Sequence, residues 1–182
     1  FDDAACRNYY DKIDGIKSRT KYRVRSYTDI FDPEVPIYLE EKNRDNNRVS
    51  KFRFRLEPDE VELLSSLDGV FDLCASRPDN PLLKRFAMAR LRRQENPVVL
   101  VNYWRRAFVS HFDIDFRITL DRRLKAAPAG HIFGVDKSAL KESLAGYTIM
   151  EVKFSRRVPS WFHRIIQVYQ LRRVSISKFC RG

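Results

Sequence analysis

The chain has 182 residues, with 35 Lys and Arg against 24 Asp and Glu, a formal net charge of +11, and is 43% hydrophobic and 13% aromatic. That apolar content is enough for a packed core and excludes a disordered chain, while no apolar run approaches the ~20 residues needed to cross a bilayer. The N-terminus lacks the basic-then-apolar order of a secretory signal, and the opening Phe1 in place of Met predicts a domain whose upstream elements are absent.

From Arg19, R-T-K-Y-R-V-R-S-Y places Arg19, Lys21, Arg23 and Arg25 at alternate positions, one face of a strand. A turn region from Asp29 to Pro36 leads into a second strand, I-Y-L-E-E-K-N-R, with Tyr38, Glu40, Lys42 and Arg44 on one face. Asp45-Asn46-Asn47 predicts a hairpin connection to a third strand, V-S-K-F-R-F-R-L, in which Lys51, Arg53 and Arg55 oppose Phe52, Phe54 and Leu56. Pro58-Asp59-Glu60 predicts a helix start carried on by Val61, Leu63, Leu64 and Leu67. Pro81 opens a second helix, apolar along Leu83, Phe86, Ala87 and Leu91, whose Lys84, Arg85, Arg92 and Arg93 read as a solvated face. Strands return with P-V-V-L-V-N-Y-W-R-R-A-F-V-S from Pro97. I-D-F-R-I-T-L-D-R-R-L follows from Ile114, with Asp115, Arg117, Thr119 and Asp121 opposite Ile114, Phe116, Ile118 and Leu120. Residues 125–147 read as a loop, and Y-T-I-M-E-V-K-F as the last clear strand, with Glu151 and Lys153 sharing a face. Pro159-Ser160 begins a helix with Phe162, Ile165, Ile166 and Tyr169 at helical spacing, and the chain closes on V-S-I-S-K-F. Cys6, Cys74 and Cys180 form no C-x-x-C pair and read as reduced, intracellular, structural thiols. No nucleophile elbow accompanies the scattered histidines, which argues against a triad hydrolase.

A solvated basic face explains any one of these strands. Three neighbouring strands are different, because like charges opposed across a sheet destabilise it. Yet the shared faces collect Arg19, Lys21, Arg23, Arg25, Lys42, Arg44, Lys51, Arg53 and Arg55, with Glu40 the exception. A polyanion is the natural partner. Six or seven mostly antiparallel strands, each with a polar and an apolar face, together with helices in the middle and at the end, predict an α+β fold. The strands would either form a sandwich with basic faces in water, or close into an antiparallel β-barrel with a basic interior and covering helices. Cations crowded inside a barrel need anions, and a phosphate chain suits the bidentate donors of Arg and the point charge of Lys. Glu40 and Glu151, each two residues before a lysine, would repel phosphate unless a divalent cation bridged them; the plainer alternative pairs each with a neighbouring arginine.

The runs Y-Y-D-K-I-D-G-I-K-S-R-T-K-Y-R-V-R-S-Y, Y-L-E-E-K-N-R, N-Y-W-R-R-A-F-V, F-R-I-T-L-D-R, M-E-V-K-F with P-S-W-F, and S-I-S-K-F together resemble the VTC domain. This is the polyphosphate polymerase domain of the vacuolar transporter chaperone family, one of the triphosphate tunnel metalloenzymes related to CYTH domains. The resemblance covers almost the whole chain in order, so residues 1–182 are expected to be a single such domain lacking its N-terminal helix and strand. It implies an antiparallel β-barrel, a triphosphate tunnel with covering helices, in which basic residues hold triphosphate or polyphosphate and a glutamate holds Mn²⁺ or Mg²⁺. Lys21, Arg23 and Arg25 match the first basic strand, Arg105 the Y-x-R-x-A-F motif and Arg117 the R-I-T-x-D motif, and these are the expected catalytic residues. Lys42, Lys51, Arg53, Lys153 and Lys178 are the expected substrate ligands, with Glu151, accompanied by Glu40, as metal ligands. Strand phase sets Arg105 in register with Val101 and Tyr103, so either a bulge intervenes or Arg106 is the inward residue. An extra lysine that some members carry just before S-K-F is missing here.

The function this implies is a metal-dependent polyphosphate polymerase that transfers the γ-phosphoryl of ATP or another triphosphate to inorganic polyphosphate. Hydrolysis of triphosphate or polyphosphate, or binding of polyphosphate or inositol phosphates without turnover, are the alternatives. Nucleic acid is set aside, because the cations alternate with apolar residues in strands and no platform of exposed aromatics for stacking is identifiable. The expected location is the cytoplasm or the cytoplasmic face of a membrane, with membrane-associated partners left open.

Overall fold

A computed structural model describes Phe1–Arg181, and the chain divides into two compact units, Phe1–Leu100 with Ala127–Ala139, and Val101–Ala126 with the chain from Leu140 onward. The first unit opens with a short helix, α1 (Arg7–Ile13), and then builds an antiparallel sheet in the order β1 (Ser18–Arg25), β2 (Ile37–Asp45), β3 (Arg48–Leu56). The β2–β3 connection is a two-residue hairpin at Asn46-Asn47, with Asn46 at φ 52 as such tight turns require. Register follows the side-chain alternation foreseen above: Tyr22, Val24, Ile37, Leu39, Phe54 and Leu56 share one face, and the cations share the other.

Three helices follow, α2 (Glu60–Leu63), α3 (Leu67–Ser76) and α4 (Pro81–Arg93). The helix expected from Pro58 is broken in two. Ser66 caps α3 by accepting a hydrogen bond from the Gly69 amide at 3.0 Å, and a Cβ on Gly69 would sit 2.4 Å from the Leu63 carbonyl oxygen, so only glycine permits the sharp α2–α3 corner. Asn80 caps α4, accepting from the amides of Leu82 and Leu83, with Pro81 in the first turn. Val61, Leu64, Val70, Leu73, Leu82, Leu83, Phe86 and Ala87 from these helices pack with Tyr22, Ile37, Leu39 and Leu56 of the sheet into one buried cluster. The first unit thus contains a sheet with helices on one face and cations on the other.

In the second sheet β4 (Val99–Val109) lies beside β5 (Arg117–Pro128), which also pairs with β6 (Lys141–Glu142) and with β7 (Ile149–Lys153). β5 runs on into the stretch expected to be a loop, and β6 lies wholly within it, since Ala126 and Lys125 find ladder partners in Lys141 and Glu142. Within the second unit α5 (Ser160–Val168) lays Trp161 and Phe162 edge-on against Phe116, with ring centroids 5.4 Å apart in both cases.

The α+β class with antiparallel sheets holds. Closure into a barrel does not: the strands pair into two open sheets among the described residues. The first sheet buries its apolar face under α3 and α4, the helix cover that was expected, while β1 and β3 remain its edges among the described residues. Phe86, fully buried with its ring 5.1 Å from that of Tyr22, is the hinge of this layer. Phe86→Ala is expected to cost about 3–5 kcal/mol of unfolding free energy, read as a lowered urea midpoint with unchanged slope; a loss under about 1 kcal/mol would refute the assigned core.

Candidate functional site

Cross-strand register sorts the polar face of the first sheet into rows. Arg25, Tyr38 and Arg55 form one, Arg23, Glu40 and Arg53 the next, then Lys21, Lys42 and Lys51, then Arg19, Arg44 and Val49. Nine cations therefore share a face with one carboxylate. Glu40 is 1% exposed and is gripped from three sides, by Arg23 and Lys51 at 2.6 Å and by Arg53 at 2.8 Å. Burial alone would raise its pKa. The hydrogen bond from Lys51 and the charge and hydrogen bond of Arg23 outweigh that and hold it at about 2. The aromatic rings on this face carry cations as well: the Arg53 guanidinium stacks over Tyr38 at 4.5 Å, and that of Arg25 over Tyr27 at 4.9 Å. Lys21 donates to the Asn8 carbonyl of α1.

On the opposite, helix-covered face Glu41 is also buried, and Arg85 of α4 reaches it at 2.7 Å while lying over the Phe52 ring at 5.0 Å. Arg85 stays on the exposed face of α4, its side chain 42% exposed, and serves from there as the counter-ion of buried Glu41. A charged residue on the packed face of a strand is the one signal in the sequence that could have revealed it, because Glu41 needs a cation from whatever covers it.

The second unit assembles a separate polar cluster. Asp121 of β5 is buried, and Arg105 of β4 meets it with two parallel hydrogen bonds of 2.6 and 2.7 Å. Lys178, at the end of the chain, bridges Asp121 at 2.7 Å and Glu151 at 2.5 Å, and Arg105 also approaches Glu151 at 3.3 Å. Burial works against both carboxylates, but the hydrogen bonds of Arg105 and Lys178 on Asp121, and of Lys178 on Glu151, keep both pKa values below their ordinary range. The bond to Asp121 in turn raises that of Arg105. Tyr103 lies beneath both cations, 5.2 Å from the Arg105 guanidinium and 5.1 Å from Lys178 Nζ. Arg105, not Arg106, therefore belongs to this cluster, and no bulge is needed, because Tyr103 shares the polar face. Arg106 is exposed over Phe108. Arg117 stands directly across from Lys153, and its Nε is buried without a hydrogen-bond partner.

The sequence-identified residues thus fall into two groups. Lys21, Arg23, Arg25, Glu40, Lys42, Lys51 and Arg53 share the first sheet's polar face, and Arg105, Arg117, Glu151, Lys153 and Lys178 share the second unit. Asp121 and Tyr103 were not among them. Their membership was readable only through the parity of Y-x-R and R-x-T-x-D on paired strands.

The two glutamates differ in their fitness for a metal. Glu40 has both oxygens engaged by three cations, and its surroundings repel a further cation. Glu151 is 38% exposed with buried Asp121 beside it. No group of three or more His, Cys, Asp or Glu forms among the described residues. One or two carboxylates completed by phosphate oxygens and water is the sparse donor set that Mg²⁺ accepts; Glu151, though paired with Lys178 and Arg105, is open to such partners at 38% exposure and fits it better than Glu40, enclosed at 1%. Glu40→Gln in phosphate-free buffer is expected to lose about 2–3 kcal/mol of stability, since three cations would lose their counter-ion. Added tripolyphosphate should restore much of this by binding the folded state. The folded pKa of about 2 lies below the ordinary 4.5, so the wild-type contribution is present above pH 4.5 and is lost as pH falls towards 2. A variant as stable as wild type across that range would show that the cation cluster does not depend on Glu40.

No curated protein matches the chain significantly. The family model for the VTC domain matches residues 1–182, the full length. The chain, with its cationic first sheet and the carboxylate-anchored cluster of its second unit, therefore belongs to the VTC domain family.

Proposed function

We propose that this chain is a metal-dependent polyphosphate polymerase of the ATP-using kind. Membership of the VTC family connects it with polyphosphate, and one observation supports the phosphate-handling role most directly. Lys21, Lys42 and Lys51 stand directly opposite one another across three strands, on a face of nine cations and one carboxylate whose surplus positive charge suits a polyanion. A linear phosphate chain offers negative oxygens at every unit along such a row.

In the proposed reaction a terminal oxygen of polyphosphate attacks the γ-phosphorus of ATP. The bond from that phosphorus to the β–γ bridging oxygen breaks, ADP leaves with the electron pair, and the polymer grows by one unit. Little covalent help is required, since charge neutralisation and in-line placement carry phosphoryl transfer. Lys21, Lys42, Lys51, Arg23, Arg25 and Arg53 would hold phosphates along the first sheet. Arg117, whose buried Nε lacks an acceptor, and its cross-strand neighbour Lys153 would take phosphate oxygens in the second unit. Arg105 and Lys178 are anchored by Asp121, so their charge is in place before substrate arrives and costs no reorganisation. Bound Mn²⁺ or Mg²⁺, held by Glu151, would supply charge neutralisation at the transferring group.

Purified protein given ATP and Mn²⁺ should form long-chain polyphosphate with stoichiometric ADP. Glu151→Gln is expected to lower this by about 100-fold or more while polyphosphate binding by calorimetry changes less than about threefold. Orthophosphate as the only product would identify a hydrolase, and binding without turnover at any divalent metal would identify a non-catalytic binder.

A further inference from the structure

Beyond the strand faces, the most unusual surface lies on and after α5. Its apolar residues cover an arc much wider than the protein itself buries. On a helical wheel Phe162 and Ile166 point one way, and Phe162 is buried against Phe116. Trp161, Ile165 and Val168 occupy the adjoining arc: Trp161, one edge against Phe116 and Phe162, remains 50% exposed, Ile165 37% and Val168 75%. Tyr169, 71% exposed, and Val174, 73% exposed, extend this surface past the helix end.

The charge around it is one-sided. Between Phe154 and Val174 there are five arginines and neither Asp nor Glu. Arg156, Arg157, Arg164, Arg172 and Arg173 are all exposed. Among the described residues no helix is long and apolar enough to cross a membrane. A short helix with an exposed apolar arc, an aromatic of the interfacial type at its start and only cations at its flanks has the composition of helices that lie in the plane of an anionic bilayer surface. A nucleic acid or a polyphosphate chain would use the arginines but not the aliphatic arc, and an acidic protein surface would not account for a local excess this complete without a shaped groove.

We infer that α5 and the segment through Val174 dock on an anionic lipid surface, with Trp161, Ile165 and Val168 entering the headgroup–acyl boundary and Arg164, Arg172 and Arg173 meeting lipid phosphates and carboxylates. The inference is independent of the proposed reaction, because none of these residues belongs to the two polar clusters. Each basic residue near an anionic leaflet contributes on the order of a fivefold change in partitioning, and apolar insertion supplies the rest.

The test uses the whole chain carrying Trp104→Phe, which leaves Trp161 as the single tryptophan. Vesicles of phosphatidylcholine with phosphatidylserine should capture it on flotation, blue-shift the Trp161 emission and allow quenching by lipids brominated along the acyl chain; vesicles of phosphatidylcholine alone should capture far less. Val168→Glu, at a site too exposed to disturb folding, should lower capture by at least about tenfold and abolish the blue shift. Arg172→Ala with Arg173→Ala, outside any helix, should lower capture by about 25-fold. Four results would overturn the inference: no capture; capture unchanged by Val168→Glu, which is general attraction to the strand cations; capture by anionic vesicles without any Trp161 shift; or a concentration-dependent dimer that Val168→Glu dissolves, which assigns the arc to a second copy.

Discussion

Repulsion among nine cations on one face of three strands is the constraint around which the first unit is organised. A sheet with so much like charge in register is stable only where something absorbs it, and two agents do so here. Helices α3 and α4 bury the opposite face, giving the sheet a hydrophobic reason to exist that does not depend on its charged side. Glu40 then neutralises the centre, drawing Arg23, Lys51 and Arg53 onto one carboxylate. With its centre neutralised by a single acid, the face keeps a net positive charge and stays receptive to an anion, while the strands hold register without one.

The second unit solves the same problem with a different division of labour. Buried Asp121 anchors Arg105 and Lys178, and Glu151 is drawn in at the exposed side of the same pair. Two cations and two carboxylates nearly balance, so this cluster is not the charge surplus that the first sheet carries. The difference matters chemically. A near-neutral cluster with one exposed carboxylate can accept a divalent cation together with phosphate, whereas Glu40, enclosed by three positive groups, is a structural anion. The symmetry suggested by the two E-x-K motifs is therefore broken by their neighbours, not by the motifs.

Alternation along β1, β2 and β3 was legible because a period of two converts directly into faces, and both the cationic rows and the buried residues Leu39 and Leu56 follow from it. The amphipathic spacing of α4 and α5 was legible for the same kind of reason. What could not be read was whatever depends on partners distant in sequence. Arg85 was legible as an exposed helix residue but not as the counter-ion of buried Glu41, 44 residues away. Asp121 looked like one polar residue among several until Arg105 and Lys178 converged on it. Arg105 was in question because it shares strand phase with Val101 and Tyr103, and only the structure shows that Tyr103 underlies two cations on the polar face. Closure of the strands into a barrel was inferred from strand count, charge and the family resemblance, and none of these determines edge pairing.

The helices also explain why apolar surface is distributed so unevenly. In the first unit α3 and α4 bring Leu73, Leu83 and Phe86 fully inside, while Arg85 of α4 pairs with Glu41, Arg93 approaches Glu95, Arg90 is buried over the Phe1 ring, and Lys84 and Arg92 are left in water. In the second unit α5 brings a wider apolar arc than Phe116 can cover, so Phe162 is buried while Val168 is not. Helix α4 also leaves apolar residues outward, Met88 at 41% and Leu91 at 50% exposure, but scattered among Lys84, Arg85 and Arg92. On α5 Trp161, Ile165 and Val168 adjoin one another on one arc, Val168 at 75% exposure, with arginines around them and no acid from Ser155 to Arg173, a surface that suits an apolar layer with negative charge at its boundary.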